Sequence, residues 1–548
     1  MENAYHAVLF TFLSANLPAR KLGVDISNPA EWFPQARKLR RKLILHVGPT
    51  NSGKTYHALK RLKESNNGYY AGPLRLLARE IYERFKAEGT RCNLVTGEEV
   101  IQDLDEYGME APLSSGTVEM VSTARNYEVV VLDEIQMLGD RGRGWAWTNA
   151  LLGVHAKEVH LCGEESVIPL IKKIASITGD EVFVNKYERL GKLSVEEGTI
   201  RGLEGLKKGD CIVAFSKKRI WAYKEQIQTK TKLKCGVIYG ALPAEVRSTE
   251  AAKFNRGEYD VLVASDAIGM GLNLSINRVI FDNHSKFNGV RLEDLESPHV
   301  KQIGGRAGRF KQAKKSTSVG LVGAFFKETL EHIRENISKP TIFLDKAIIW
   351  PSDEIWTHYT SEFPAGTPFT TVIQAFEKEV KDVPLYAIAD TRDRISMGEV
   401  FTKIPNLLID DQLRIGTAPL GVYVPLFADV IYAYSETIAK GYTKSLLDYD
   451  NILPFRCLKP EEVSDEKLGQ FEELHKYVLL FLWMNNRYPS FFVDRECAVE
   501  IKDLLEAKIE KILKQVKYHG IGRHPKKSKK RFRSNDGAVS AKREERLT

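Results

Sequence analysis

Short apolar runs alternate with helical patterns along the first two thirds of the chain. Residues 43–47, 129–133, 159–163, 211–215, 235–239, 259–265 and 278–282 form the runs. Nearly continuous apolar runs of this length are typical of strands in a parallel sheet that is covered on both faces. Because helical patterns separate the runs, the chain is predicted to form doubly wound α/β units.

Two α/β blocks fit this rhythm, and helical segments flank them. We expect a helical N-terminal segment over 1–40, a first α/β domain over 41–190, a second over 191–338, a mainly helical C-terminal domain over 339–520 and a basic tail over 521–548. The boundary between the two blocks is placed in the polar segment 187–198. Within it, the sequence NKYE at 185–188 resembles a guanine-reading motif only faintly, and we interpret it as linker.

The C-terminal region shows helical patterns in place of the strand rhythm. Residues 385–407 and 422–440 are predicted to be helical, and 500–516 has an apolar stripe at helical spacing. Such a stripe is more often core packing than a surface for a partner, and the pattern leaves both open.

Composition places the chain among soluble globular proteins. Its 548 residues exceed what one core accommodates, and hydrophobic and charged contents of 43% and 28% are ordinary. The longest strongly apolar run, 477–483, is too short to cross a bilayer, so no membrane insertion is expected. Six scattered cysteines without a CxxC pair argue against a disulfide framework or a zinc site.

The net charge of +8 is concentrated in one segment. Residues 523–533 carry seven basic side chains and no acidic one, so the rest of the chain is nearly balanced. A nucleic-acid site in the folded body must therefore be a local basic patch. The tail itself is predicted to be disordered, because like charges repel and bury nothing, and either a solvated tail or loose nucleic-acid binding fits it.

A complete phosphate-binding loop follows the first predicted strand. The pattern GxxxxGK[ST] is matched by Gly48, Pro49, Thr50, Asn51, Ser52, Gly53, Lys54 and Thr55. A strand precedes the loop and a helix follows it, so backbone N–H groups and the helix N-terminus can surround phosphate oxygens. Lys54 is expected to reach the β- and γ-phosphates of ATP, and the Thr55 hydroxyl to ligate Mg²⁺.

An acidic pair ends the second apolar run. Asp133 and Glu134 directly follow Val129–Leu132, where a P-loop enzyme needs a carboxylate at the end of a neighbouring strand. Asp133 is expected to hold Mg²⁺, and Glu134 to orient and deprotonate the attacking water.

A glycine–arginine segment in the second block carries positive charge, opposite in sign to the acidic pair. Residues 302–309 read QIGGRAGR and fit the pattern QxxGRxGR. Arg306 and Arg309 are candidate arginine fingers for a γ-phosphate, and Gln302 is a candidate for positioning water or phosphate. Taken alone, the pattern also fits a phosphate or RNA patch.

The motifs GPTNSGKT, DEIQ and QIGGRAGR, in this order, resemble those of superfamily 2 helicases of the DExH type. The DEIQ variant, with PLRLLA at 73–78 and SDAIGMGLNL at 265–274, is similar to the family of mitochondrial RNA-degradosome helicases. The resemblance is strong over 40–340 and weaker over 340–515, and Gly304 stands where we expect alanine. It implies two tandem RecA-like domains with helical N-terminal and C-terminal extensions.

The resemblance implies roles for further residues. Asp266 and Gly271 would contact ATP, and segment 161–164 would couple hydrolysis to domain closure. The residues implied to contact the RNA backbone are Arg75, Ser122, Thr123 and Ser265.

The resemblance also implies an activity and a setting. An enzyme of this kind is an ATP-dependent RNA helicase that uses ATP with Mg²⁺, moves 3′ to 5′ and unwinds RNA duplexes. It would bind single-stranded and duplex RNA and feed a mitochondrial exoribonuclease in the matrix. The chain begins without a visible transit pattern, so the location rests on the resemblance alone. A DNA helicase or translocase with the same motor is the alternative.

The sequence Asn288-Gly289 predicts a two-residue β-hairpin between Lys286-Phe287 and Val290-Arg291. A plain surface hairpin and a strand-separating hairpin both fit.

Overall fold

The computed structural model describes residues 28–269, 271–287, 291–308, 319–364, 366–381, 383–419, 421, 424–458 and 465–515. Residues 1–27 of the predicted helical N-terminal segment, the turn 288–290, Arg309 and the basic tail lie outside these ranges. From 28 to 40 the chain forms two short 3₁₀ turns, Pro29–Trp32 and Ala36–Lys38. Their apolar side chains belong to the same hydrophobic cluster as the strands of the first α/β domain.

The first α/β domain contains an eight-stranded sheet. Its strands are β1 (Lys42–Val47), β2 (Gly68–Gly72), β3 (Cys92–Val95), β4 (Val100–Ile101), β5 (Leu113–Thr117), β6 (Asn126–Leu132), β7 (His155–Gly163) and β8 (Glu181–Lys186). Its helices are α1 (Lys54–Lys63), α2 (Arg75–Ala87), α3 (Gly144–Gly153) and α4 (Ile168–Thr178). The strand order is β4-β3-β5-β2-β6-β7-β1-β8, and every pair is parallel except β3 with β4. The functional loops therefore leave the carboxyl ends of β1 and β6 at one edge.

The second α/β domain contains a six-stranded parallel sheet. Its strands are β9 (Leu193–Val195), β10 (Asp210–Val213), β11 (Cys235–Ile238), β12 (Val261–Ala264) and β13 (Arg278–Phe281), with β16 (Gly320–Ala324) after the hairpin β14 (Ser285–Phe287) and β15 (Leu292–Asp294). Helices α5 (Lys217–Lys230), α6 (Ala244–Asn255), α7 (Ser297–Gly304) and α8 (Lys327–Ser338) accompany them. The order is β11-β12-β10-β13-β16-β9. The predicted fold class, two tandem doubly wound domains with helical extensions, is confirmed.

The segment between the two sheets is shorter than predicted. Asn185 and Lys186 close β8, and 193–195 form β9 at the edge of the second sheet, beside β16. The linker interpretation of NKYE was therefore wrong for its first two residues, because their backbone groups pair with β1. Only 187–192 connect the sheets.

The predicted hairpin between the motifs of the second domain is present. Pairing of Phe287 with Leu292 leaves four residues between the strands, so the connection is longer than the two residues expected.

The C-terminal region is mainly helical. It contains α9 (Asp353–Thr360), α10 (Phe369–Val380), α11 (Arg392–Phe401), α12 (Ile409–Ile415), α13 (Phe427–Ala439), α14 (Asp465–Arg487) and α15 (Arg495–Gln515). Two short strands, β17 (Ala347–Ile349) and β18 (Tyr386–Ile388), pair in parallel. The prediction of one helix over 385–407 was wrong at its start, because Tyr386–Ile388 complete this small sheet. Among the described residues, no helix is both long and apolar enough to cross a membrane.

The C-terminal helices are bonded to both α/β domains. On the first domain, Asn149 donates from its amide to the Trp350 carbonyl at 2.9 Å, and the Asp390 amide donates to the Arg141 carbonyl at 2.7 Å. On the second, buried Glu472 of α14 accepts from Lys217 at 2.6 Å and from the Tyr239 hydroxyl at 2.7 Å. The C-terminal region therefore bridges the two sheets.

Candidate active site

The P-loop lies between β1 and α1, as the sequence predicts. Gly53 has a φ of +79°, which places it in the left-handed region that favours glycine. A Cβ on Gly48 would lie 2.4 Å from the Tyr187 carbonyl oxygen, so the loop and the interdomain segment need a glycine there. The Lys54 ammonium donates to the carbonyls of Gly48 at 3.0 Å and Pro49 at 3.3 Å, which holds it inside the loop.

Asp133 sits beside the P-loop at the end of β6. Its carboxylate accepts from the Thr55 hydroxyl at 3.2 Å and from the buried Tyr70 hydroxyl at 2.9 Å. The Trp147 indole N–H fixes the Asp133 backbone by donating to its carbonyl at 2.8 Å. Burial, with the negative charge of Glu134 as the second cause, raises the pKa of Asp133 to about 6. A neighbouring cation would favour the ionised form of such a carboxyl.

Glu134 adopts a left-handed backbone conformation with a φ of +52°. Such a conformation is uncommon for a non-glycine residue and is found at functional sites. The Gln136 side-chain amide donates to the Glu134 carboxylate, and its carbonyl oxygen accepts from the Glu164 backbone N–H at 3.3 Å. The glutamine of DEIQ thus connects the acidic pair to segment 161–164. Burial, and next the charge of Glu134, raise the pKa of Glu164.

The glycine–arginine loop of the second domain faces the P-loop directly. A Cβ on Gly305 would lie 2.5 Å from the Thr50 hydroxyl oxygen, so only glycine permits this approach. The Asn51 side-chain amide donates to the Gly308 carbonyl at 3.3 Å. The structure therefore brings the two predicted motifs into contact across the cleft between the sheets.

The side chain of Arg306 points toward its own domain. Its guanidinium donates to the Gly269 carbonyl, at 3.1 Å from Nε, and to the Leu272 carbonyl at 3.4 Å. Gln302 lies 3.6 Å from the position that a Gly269 Cβ would take. The backbone of the glycine–arginine loop thus contacts the P-loop, whereas the Arg306 side chain is bonded to the segment that follows β12.

The predicted nucleotide contacts of the second domain lie at the cleft edge. Asp266 is exposed and accepts from Lys286 at 3.4 Å. Gly271 has a φ of +74°, and a Cβ there would lie 2.3 Å from the Leu74 side chain of the first domain. Gly271 is thus at a contact between the two domains.

One residue at the cleft was not predicted from the sequence. Arg189, in the segment 187–192, donates to backbone carbonyls of both the P-loop and the glycine–arginine loop. Arg189 belongs to no recognisable sequence motif, because its partners are main-chain oxygens from distant parts of the chain.

A cavity of about 970 Å³ lies where the two α/β domains meet the C-terminal region. Its wall combines the start of α2, the first turn of α6, the start of α11 and the end of α14. Arginine predominates among its charged lining residues, which makes it a basic cavity. They are Arg75, Arg143, Arg247, Arg392, Arg394 and Arg487, against the acidic Glu98, Glu119, Asp390 and Asp393. Half-buried Trp145 supplies aromatic surface, whereas Trp483 is buried and its ring is covered by the Arg487 guanidinium at 3.7 Å.

Of the predicted RNA-contacting residues, Arg75 lies on this cavity, and the other three lie outside its lining. Arg75 bonds to carboxylates of both domains: Glu98 in the first and Glu245, at 3.0 Å, in the second. The Ser122 hydroxyl accepts from the backbone N–H groups of Ala124 and Arg125, and the Ser265 hydroxyl accepts from that of Ala267. These two hydroxyls therefore stabilise local turns. Thr123 packs against the α3 end, where a Cβ on Gly153 would meet its methyl group at 2.7 Å.

Two parallel sheets with a P-loop, a buried acidic strand end and a facing glycine–arginine loop define a nucleotide-driven helicase motor of superfamily 2. Three protein-family models match the chain: the DEXQ-box helicase domain of Suv3 over 29–187, the helicase conserved C-terminal domain over 186–311 and the ATP-dependent RNA helicase SUV3 C-terminal domain over 468–515.

Similar proteins extend the match over nearly the whole chain. The mitochondrial ATP-dependent RNA helicase SUV3 of Saccharomyces cerevisiae is 49% identical, over 95% of this chain and 70% of its own length. That of Candida albicans is 46% identical over 93% of this chain and 73% of its length. The mitochondrial DExH-box helicase DExH16 of Arabidopsis thaliana is 37% identical over 92% and 86%.

The chain belongs to the SUV3 family of mitochondrial ATP-dependent RNA helicases. This membership confirms the predicted enzyme class and the mitochondrial location.

Proposed function

We propose that this chain hydrolyses ATP between its two α/β domains and uses closure of that cleft to move 3′ to 5′ along RNA. It would unwind duplexes and pass the freed strand to a mitochondrial exoribonuclease. One observation carries the proposal: the P-loop touches the glycine–arginine loop across the cleft between the two sheets. A separate cavity lined by six arginines reaches all three parts of the chain.

The P-loop residues would bind the phosphates of ATP. Gly48, Pro49, Thr50, Asn51, Ser52 and Gly53 offer the turning backbone, and Lys54 offers the positive charge. The Thr55 hydroxyl and the Asp133 carboxylate, 3.2 Å apart, are hard oxygen ligands of the kind that Mg²⁺ prefers, so the donor set fits this ion. When bound, Mg²⁺ would neutralise charge on the phosphates.

Glu134 would accept the proton of the attacking water, in the orientation that Gln136 gives its carboxylate. Gln302, Arg306 and Arg309 would stabilise the charge that develops on the γ-phosphate. Arg306 would leave the Gly269 carbonyl to do so, which links hydrolysis to the segment containing Ser265, Asp266 and Gly271.

The basic cavity would hold single-stranded RNA through phosphate and sugar contacts, which carry no sequence information. Aromatic surface at Trp145, and the planar Arg487 guanidinium that lies over Trp483, would allow bases to stack without regard to their identity. Arg75 would exchange its carboxylate partners for phosphate, because Glu98 and Glu245 already position its guanidinium on the cavity wall.

Cleft closure would move the cavity walls, since α2 comes from the first domain and α6 from the second. The Arg75–Glu245 pair joins the starts of these two helices, so RNA binding at Arg75 would alter a bond between the domains. The hairpin β14–β15, in the second domain between the two motif segments, is a candidate for parting the duplex.

The alternative substrate is DNA, and ATPase stimulation distinguishes the two. Single-stranded RNA and DNA of equal length and sequence should be titrated into the ATPase assay. We expect RNA to stimulate turnover more strongly at equal saturation. Equal stimulation by DNA would favour the general translocase.

Polarity and partner need their own assays. A duplex with a 3′ single-stranded extension should be unwound, and one with a 5′ extension should not. Co-purification of a 3′-to-5′ exoribonuclease from mitochondria should depend on 340–515 or 1–40, and binding that survives removal of both would exclude these surfaces.

Replacing Gln136 with alanine should lower RNA-stimulated ATP turnover by roughly tenfold, a part of the 10²–10⁴-fold that a positioned base contributes. The reason is that Glu134 loses the amide that orients it and Glu164 loses an acceptor. Steady-state ATPase kinetics measure this. Gln102→Ala is the matched control, because Gln102 bonds to exposed Glu110 away from the site. Unchanged turnover in Gln136→Ala would contradict the orienting role.

Replacing Arg75 with alanine should weaken RNA binding severalfold at low salt. The log–log salt dependence should lose about 0.7 in slope if one phosphate contact disappears. Fluorescence anisotropy across a salt series measures both. Arg84→Ala, on the same helix and paired with Glu88, is the control away from the cavity. Superimposable slopes for Arg75→Ala and the unaltered chain would exclude a phosphate contact at Arg75.

A further inference from the structure

The segment that joins the two sheets runs along the P-loop. The Tyr187 backbone N–H donates to the Val47 carbonyl at 2.8 Å, and that of Leu190 donates to the Asn51 carbonyl at 2.9 Å. At its other end, the Lys192 carbonyl accepts from the Gly320 N–H of the second domain at 2.8 Å. The connection is therefore bonded to both domains and forms part of the ATP cleft.

Arg189 stands in the middle of this segment and bonds to both sides of the cleft. Its Nη1 donates to the Thr50 carbonyl of the P-loop at 3.0 Å and to the Gly305 carbonyl at 2.8 Å. Its Nη2 donates to the Ala307 carbonyl. Gly305 and Ala307 are the two neighbours of Arg306. The planar guanidinium thus fixes the backbone on either side of the candidate finger.

The surrounding contacts leave the glycine–arginine loop little freedom. Gly305 packs on Thr50 too closely for a Cβ, and Asn51 holds the Gly308 carbonyl at 3.3 Å. Arg189 adds the charged donor to this contact. Hydrogen bonds from a charged donor are shorter and about twice as strong as neutral ones. The side chain is half-buried, so bulk water competes with these bonds only in part.

We propose that Arg189 is a positioning residue for ATP hydrolysis, which holds the glycine–arginine loop against the P-loop so that Arg306 reaches the γ-phosphate as the cleft closes. This inference rests on the proposed ATPase function. Arg189 contacts no reacting atom and acts through the backbone of Arg306. An arginine finger contributes roughly 10³–10⁵ in turnover, and a misplacement of about 1 Å costs roughly 10²-fold. Loosening the loop should therefore lower turnover more than nucleotide binding.

The chain provides a matched control in Arg334. It likewise holds main chain through backbone carbonyls, just after β9, with its Nη2 donating to Glu196 at 2.9 Å and Glu197 at 3.2 Å. All these partners belong to the second domain. Arg334→Ala therefore removes comparable bonds without affecting the cleft.

The test compares the full chain with Arg189→Ala, Arg189→Lys and Arg334→Ala. Three quantities are measured: steady-state kcat and KM for ATP at saturating RNA, equilibrium binding of a non-hydrolysable ATP analogue, and hydrogen exchange in peptides covering 303–308 without nucleotide. In Arg189→Ala we expect kcat to fall by roughly tenfold or more, analogue binding to stay within about threefold, and 303–308 to exchange faster. Arg189→Lys should keep more of kcat than Arg189→Ala but less than the unaltered chain. A lysine keeps the positive charge but lacks the planar guanidinium that donates to several carbonyls at once. Arg334→Ala should match the unaltered chain.

Unchanged kcat in Arg189→Ala overturns the inference, whether or not exchange in 303–308 changes. An equal loss of kcat in Arg334→Ala also overturns it, because removing arginine bonds to main-chain carbonyls away from the cleft would then have the same effect. Failure of the proposed function is distinguishable: the unaltered chain would show no RNA-stimulated turnover, while the exchange difference would still report the contact.

Discussion

Replacing Lys54 with alanine should lower ATP turnover by at least roughly 100-fold and abolish unwinding, while RNA binding without nucleotide stays within a few-fold. Loss of one preorganised donor to developing charge costs about 10²–10³ in turnover, and Lys54 also carries a full positive charge. Its ammonium sits inside the P-loop on the Gly48 and Pro49 carbonyls and does not line the basic cavity. The loss should therefore affect nucleotide chemistry alone. ATPase, unwinding and anisotropy assays on one preparation measure the three effects.

Lys60→Ala is the matched control for this change, because Lys60 lies on the same helix with an exposed side chain. It should retain the activity of the unaltered chain. Normal turnover in Lys54→Ala would refute the P-loop assignment, and a parallel loss of RNA binding would show that the substitution disturbs more than the phosphate site.

Replacing Glu134 with glutamine should slow hydrolysis by roughly 10²–10⁴-fold without preventing ATP binding. The substitution keeps the shape of the side chain and removes the base, whereas Thr55 and Asp133 remain in place. It also removes one of the two causes that raise the pKa of Asp133, so that pKa should move down toward its ordinary value. The trapped ATP state should hold RNA more tightly than the unaltered chain does. Single-turnover hydrolysis and RNA affinity with ATP measure this.

Glu165→Gln, which alters an exposed carboxylate paired with Lys186, should leave hydrolysis unchanged. If Glu134→Gln instead lost nucleotide binding, the roles given to Asp133 and Glu134 would have to be exchanged.

The strands rich in β-branched and aliphatic residues could be predicted from sequence, whereas β2 and β5 could not. Their sequences, GYYAG and LSSGT, lack a run of aliphatic or β-branched residues, yet they are fully or nearly buried. Ser115 is stabilised there because its hydroxyl donates to the Ala78 carbonyl at 2.6 Å. Such burial depends on a partner 37 residues away in the chain, which local hydrophobicity does not reveal.

The motifs identified the two loops that meet across the cleft between the sheets, but the sequence did not show which partners the individual side chains contact. The guanidinium of Arg306 rests on Gly269, and that of Arg75 joins carboxylates of two domains. The position of Arg189 could not be predicted, because its hydrogen bonds go to main-chain carbonyls, which every residue carries. Tertiary contacts, and not residue type, decide all three cases.

The bridge that the C-terminal region makes between the two sheets also has a mechanical consequence. Asp390 is tied to the first domain and Glu472 to the second, and the cavity is lined by both domains and by the C-terminal region. The two sheets are therefore joined twice, by residues 187–192 and by the C-terminal region. A hinge at 187–192 alone would let the sheets swing apart freely, whereas the second connection restricts their relative motion to displacements that the C-terminal region can follow.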